Sequence, residues 1–283
     1  MEAAVVGLRA RAVTMIGLTR KACEAASVAV LIAGCGGSGA STTTRTGSQS
    51  RTAPAVAAVR RPAPAPHPPR PVVHRVLVGQ IPDRLPTSRH VVALTFDAGA
   101  DDAGAPKIFA TLEHNGVPAT FFMTGRWGEL YPQWARRIAA RFAIGNHTFD
   151  HEDLLGLPLS SVGGELLRAA AAIRRATGNP PLPLFRFPYG SSNGSTLAIV
   201  NRLGYTAVGW TVDTLGWEGT AMGQSADSVF SRVIEHLEPG EIVLMHVGAN
   251  PVDHSQLDSA ALARIIGAIR ARGYRFVTVS AYL

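Results

Sequence analysis

Cysteine is almost missing from this chain, and the two that occur, Cys23 and Cys35, stand upstream of any segment with a globular texture. No disulfide framework can therefore hold the fold together. Long apolar runs are missing too. The mostly apolar stretch 25–33 falls well short of the about 20 residues that a bilayer-spanning helix needs. A basic excess is missing from the part that can fold. The whole chain carries +7, yet residues 1–75 hold 10 basic and 2 acidic residues, whereas residues 76–283 hold 17 and 18. The foldable part offers no electrostatic footprint for a phosphate backbone, so no nucleic-acid partner is expected. A basic tail beside an anionic envelope accounts for the charge.

What is present near the start is ordered: Arg20-Lys21, the apolar stretch, then Ile32-Ala33-Gly34-Cys35. A charged start, a short apolar middle and a small-residue end are the outline of an export signal. The end also resembles a bacterial lipobox, whose cysteine is lipidated and becomes the first mature residue. An ordinary cleaved signal ending at a chance cysteine has the same outline, and Met15 is an alternative start that shortens the n-region. Residues 36–75 are rich in Gly, Ser and Thr, then alternate Ala and Pro around Arg60, Arg61 and Arg70, a composition that buries no core and reads as a tether. The expected organisation is a lipoprotein-type signal over 1–35, a tether over 36–75 and one domain over 76–283. The expected location is extracytoplasmic, anchored to the bacterial membrane through a lipid on Cys35 and otherwise secreted, as a monomer.

With 46% hydrophobic residues the chain has ample material for one packed domain. Strands are expected at 91–95, 119–123, 142–145, 184–187, 206–212, 241–246 and 275–279. Helices are expected at 103–115, 161–177, 195–203 and 259–272, each stopped by a glycine: Gly116, Gly178, Gly204 and Gly273. This alternation predicts a parallel sheet covered by helices, closed as a seven-strand βα barrel or left open as a doubly wound sheet.

The polar residues fall at strand C-terminal ends. Asp97 follows the first strand, His147 and His151 the third, Arg186 to Gly190 end the fourth, Asp213 follows the fifth, and His246 ends the sixth. In a parallel βα architecture those ends share one face, where active sites are built. His147 and His151 are spaced i, i+4, so one helical turn there would let both imidazoles share a cation. A pair of neutral imidazoles suits zinc or another first-row divalent metal.

Thr95-Phe96-Asp97-Ala98-Gly99, His147-Thr148-Phe149-Asp150-His151, Arg186-Phe187-Pro188-Tyr189-Gly190, Asp213-Thr214-Leu215-Gly216-Trp217 and Leu244-Met245-His246 resemble, in order, the five motifs of the polysaccharide deacetylase, or NodB-homology, family, a carbohydrate esterase type. The resemblance covers roughly residues 88–283. It implies a distorted (β/α)7 barrel, one divalent metal, and removal of N-acetyl or sometimes O-acetyl groups from sugars, with peptidoglycan or a chitin-like polymer as substrate. It implies Asp97 as general base, Arg186 as the group that orients it, His147 and His151 as metal ligands, the Tyr189 backbone N–H as oxyanion donor and His246 as general acid. Trp217 and Asp213 are candidate substrate contacts, and Trp210 either lines a sugar groove or packs in the core.

Two positions depart from the family pattern. Ala98 stands where a second Asp is the third metal ligand, and Gly216 stands where an Asp commonly supports the catalytic histidine. Asp101 or Asp102 could replace the ligand, although capping the helix near Ala103 is the expected role. Asp213 or another group could replace the support. These departures keep two rivals open: a glycan-binding domain with weakened catalysis, and an O-acetyl esterase.

Overall fold

The computed structural model describes residues 77–283. The expected signal and tether over 1–75, Cys35 included, lie outside the described residues. The chain runs through β1 (Val91–Ala98), α1 (Ala105–Asn115), β2 (Ala119–Met123), α2 (Gly125–Leu130), α3 (Pro132–Ala139), β3 (Ala143–Asn146), α4 (Leu159–Thr177), β4 (Leu184–Phe185) and α5 (Gly194–Arg202). It continues through β5 (Thr206–Ala207), β6 (Val212–Asp213), α6 (Ala226–Glu235), β7 (Glu241–His246), α7 (Leu257–Ala271) and β8 (Arg275–Phe276). The four expected helices correspond to α1, α4, α5 and α7 within two residues at each end. Gly116, Gly178, Gly204 and Gly273 all take positive φ, the left-handed conformation that lets a helix stop. Helices α2 and α3 escape the sequence reading because they are short, and α6 because its capping box pairs Ser225 with Ser228 instead of Glu or Gln.

All strand pairs are parallel, in the order β5-β4-β3-β2-β1-β7-β6, with β8 extending the β2 side of β1 at its start. Laid flat, seven strands would put β5 and β6 about 29 Å apart at the usual spacing. Yet Ala207 and Val212 are joined by a link that spans at most about 18 Å. The sheet must curl, and it does so as a distorted (β/α)7 half-barrel of the expected class. The single strand expected over 206–212 is corrected here: it is two strands on opposite edges. The Val208 N–H donates to Phe185 O on one side and the Thr211 N–H to Ile242 O on the other, so Gly209 and Trp210 cross the seam.

The period of two in β1 sorts the core. Val92, Leu94, Phe96 and Ala98 face outward into the layer beneath α1 and α7, where Ile108, Leu112, Ile265 and Ile269 are wholly buried. Val91 and Ala93 face the barrel interior with Leu184 and Ile242. Thr95 and Asp97 continue that inner row towards the strand ends, so the interior turns from apolar at the bottom to polar at the top. Among the described residues no helix is long and apolar enough to cross a membrane.

Candidate active site at the strand ends

Asp97 is buried at the end of β1, directly opposite His246 in the β1–β7 register. The Arg186 guanidinium, itself inaccessible, donates from Nη1 to Asp97 Oδ1 at 2.8 Å and to Thr95 Oγ1 at 2.9 Å, and from Nη2 to Gly209 O at 3.0 Å. The Thr95 hydroxyl in turn donates to Val243 O at 2.6 Å, so the donors and acceptors around the guanidinium are paired in series. Phe122 lies 4.2 Å below the guanidinium, a cation–π contact in a dry setting. Burial alone would push the Asp97 carboxyl up, but Arg186, His147 and His246 together hold it below the ordinary carboxylate value.

The 147–151 segment does not form the expected helical turn. It is a bend with Thr148 and His151 at φ 66° and 62°, and the imidazoles meet by this strained route at 4.7 Å between ring centroids. Several contacts hold the strain. The Asn146 side chain accepts from the Thr148 N–H, and the Glu165 carboxylate, buried on α4, accepts from the N–H groups of Phe149 and Asp150 at 3.1 and 3.2 Å. Neither residue's role was visible in the sequence, although a Glu inside the buried stripe Val162, Leu166, Ala169 was a signal.

His147 contacts the Arg186 carbonyl oxygen through Nδ1 at 2.9 Å. A carbonyl only accepts, so Nδ1 carries the proton and Nε2 keeps its lone pair. That Nε2 is buried, lacks a hydrogen-bond partner, and lies 3.4 Å from Asp97 Oδ2. Burial holds His147 below the ordinary histidine value, and burial with the neighbouring His147 lowers His151 to about 4. Two neutral imidazoles, one of them with a buried and unpartnered Nε2, beside a carboxylate are chemistry that a divalent cation fits. Asp97 does not complete a cage with the two imidazoles: among the described residues no three His, Cys, Asp or Glu side chains form a ready metal site. Ala98 faces the core. Asp101 Oδ1 accepts from the N–H groups of Ala103 and Ala249 at 3.0 and 2.9 Å, but α1 starts at Ala105 with Gly104 as its N-cap and no side-chain cap, so the expected capping role is not the one Asp101 plays.

Tyr189 sits edge-on to His151 at 4.7 Å, in the left-handed conformation at φ 57°, with its side chain 70% exposed. It belongs to a three-residue 3-10 turn that begins at Pro188, and its own N–H has no partner within the turn. On the far side, the Trp217 ring is half exposed and 6.4 Å from His246. Asp213 accepts from the Leu215 N–H at 2.9 Å and from Trp217 Nε1 at 3.4 Å, so it shapes the loop that presents the tryptophan. Burial raises the Asp213 carboxyl above its ordinary value. Trp210 packs partly buried in the interior cluster, and Trp127 is wholly buried with Nε1 donating to Asp101 O. Burial disfavours the charged form of His246, but the carboxylates of Asp258, Asp97 and Asp213 outweigh it and raise the ring above the ordinary value. The support expected from Asp213 is thus shared, and Asp258, unmarked in the sequence, is the nearest acid.

This arrangement sits within a wider likeness. The polysaccharide deacetylase family model matches residues 84–208, which carry Asp97, both imidazoles and Arg186. A peptidoglycan-N-acetylglucosamine deacetylase of Bacillus cereus is 34% identical over 195 residues, covering 69% of this chain and 68% of that protein. A chitooligosaccharide deacetylase of Azorhizobium caulinodans is 30% identical over 200 residues, 68% of this chain and 93% of its own. Among solved structures, a family 4 carbohydrate esterase of Bacillus subtilis superposes with TM-score 0.66 at 27% identity, over 73% of this chain and 87% of that one. A family 4 pseudoenzyme of Bacillus anthracis superposes with TM-score 0.62 at 27% identity, over 69% and 65%. With the curled parallel sheet, the Asp97–Arg186 pair and the two imidazoles at its strand ends, the chain belongs to the polysaccharide deacetylase family.

Proposed function

We propose that this protein hydrolyses N-acetyl groups from an N-acetylglucosamine-containing glycan of the peptidoglycan or chitin type. The observation that carries this reading is the convergence of Asp97, His147, His151 and His246 on one end of the sheet, from strands far apart in sequence. Members of this family are typically metal-dependent, and His147 and His151 are the residues that would hold a divalent cation, zinc or another first-row metal. When bound, such a cation supplies Lewis-acid polarisation of the acetamide and of water.

The chain's own groups do the rest. Asp97, held ionised by Arg186, is placed to accept a proton from the attacking water. The water oxygen adds to the acetyl carbon, and the Tyr189 backbone N–H donates to the oxygen that gains charge. The C–N bond then breaks, acetate leaves, and His246 gives its proton to the departing amine nitrogen. The half-exposed Trp217 offers an apolar face to the sugar ring. The test is mass spectrometry of N-acetylglucosamine oligomers and peptidoglycan fragments after incubation with zinc-loaded protein. Deacetylated products support the reading, and unchanged oligomers together with an unchanged polymer refute it. Loss confined to O-acetylated polysaccharide would select the esterase alternative.

A glycan-binding domain with weakened catalysis is the second reading, favoured by Ala98 at the ligand position and by the likeness to a pseudoenzyme. Retention of glycan without turnover would select it. The anchor belongs to the same proposal: a lipid on Cys35 plus basic residues would supply the two signals that stable membrane attachment requires. Cys35→Ser should move the protein out of the membrane fraction.

A further inference from the structure

Asp258 and Gly216 share one small space beside His246. Asp258 is the second residue of α7 and is 3% exposed. Its Oδ1 accepts from the buried Thr214 hydroxyl at 2.6 Å, and its Oδ2 accepts from the His246 backbone N–H at 2.8 Å. The same Oδ2 lies 3.7 Å from His246 Nδ1, a ring nitrogen that is buried and has no hydrogen-bond partner. The separation is longer than a hydrogen bond and within ion-pair reach, and a small ring rotation would close it. The negative charge also sits in the first turn of a fifteen-residue helix, where unpaired N–H groups favour it.

Gly216 explains how a carboxylate from α7 gets there. A Cβ at position 216 would lie 2.6, 2.7 and 2.8 Å from Oδ1, Cγ and Oδ2 of Asp258. Gly216 does not have a positive φ, so the backbone does not require glycine at this position; the crowding does. A side chain at 216 and the carboxylate of Asp258 are therefore mutually exclusive occupants of the pocket behind His246.

We propose that Asp258 is the positioning residue of His246, and that Gly216 is the vacancy that admits it. The proposal rests on the deacetylase reading for its chemistry. With Asp258 behind Nδ1, the ring presents Nε2 to the cleft beside Trp217. As the C–N bond breaks, the Nε2 proton passes to the amine nitrogen, and the ring becomes neutral with its remaining proton on Nδ1, facing Asp258. No proton needs to reach the carboxylate.

The test uses the full chain and two substrates, an N-acetylglucosamine oligomer and an activated aryl acetate whose leaving group needs no proton. Asp258→Asn should slow the amide about 100-fold, a typical size for a positioned general acid, and the aryl acetate by less than about threefold. A merely structural contact would slow both alike, and that result overturns the proposal. A side-chain relocation gives the second arm. Gly216→Asp alone should lose activity by crowding, Asp258→Ala alone by loss of the carboxylate, and the pair should recover at least about tenfold over Asp258→Ala, because the two changes share one space. A folded double variant that recovers nothing also overturns it. Nitrogen-15 spectra of the histidines at a pH high enough for His246 to be neutral make a third arm that needs no turnover. His246 should be the Nδ1–H tautomer in the parent and shift in Asp258→Asn; an unchanged signal counts against the proposal. A parent inactive on both substrates would defeat the deacetylase reading, while the spectra would still decide the positioning of the ring.

Discussion

Replacing Arg186 with methionine isolates the interaction on which the candidate base depends. Methionine fills most of the space between Phe122 and Trp210, so little cavity is created. What goes is the charge partner of a carboxylate that is only 7% exposed, along with donors to Thr95 Oγ1 and Gly209 O. Removing one member of a buried ion pair costs about 3–5 kcal/mol, because the other charge stays buried and uncompensated. The pH dependence should also invert. In the parent, Asp97 titrates below its unfolded value, so its contribution is present above that value and fades as pH falls through the folded one. Without Arg186, burial dominates and the carboxyl titrates above its unfolded value; its contribution is then present in acid and fades as pH rises. The stability gap between parent and Arg186→Met should thus be widest near neutral pH and narrow towards about pH 3.5. Urea denaturation across that range measures it, and adding Asp97→Asn should recover about 1–3 kcal/mol at neutral pH. A neutral-pH loss below about 1 kcal/mol, or a gap that stays constant into acid, would show that Arg186 is not what keeps Asp97 charged.

Three further outcomes follow from the same geometry. Glu241, buried at the start of β7 with Oε1 unpartnered, is pushed by burial up to about 8, so the parent should lose about 1.4 kcal/mol per pH unit between roughly pH 4.5 and 8; Glu241→Gln should abolish that slope, and parallel pH–stability curves would disprove it. His151→Ala should remove the rise in Tm that added zinc gives the parent, whereas an unchanged rise would place the metal elsewhere. Because His246 donates only when protonated and its value is raised, amide hydrolysis should persist above the ordinary histidine range and then fall as pH rises through the raised value; a matching alkaline fall with an aryl acetate would assign that limb to another group.

Much of this protein was legible in one dimension. Helix ends are local events, and Gly116, Gly178, Gly204 and Gly273 mark them because a left-handed residue at a C-terminus is a one-residue requirement. The site's location was legible for a topological reason: all strands are parallel, so Asp97, His147, Arg186 and His246, each at or just past a strand end, share one face whatever the loop lengths between them. What the tertiary structure alone decided are the facts that depend on two distant segments competing for one space. The run 206–212 reads as one strand, but the sheet's curl divides it between two edges that hydrogen-bond to different neighbours. The i, i+4 spacing of His147 and His151 reads as a helical turn, but contacts from Asn146 and from Glu165 on α4 hold a bend instead. Gly216 reads as a lost carboxylate, and only the packing of α7 against the β6–α6 loop shows Asp258 in the space it leaves. Spacing along a chain reports which side chains can be neighbours within one element; which carboxylate stands behind His246 depends on how separate elements exclude one another.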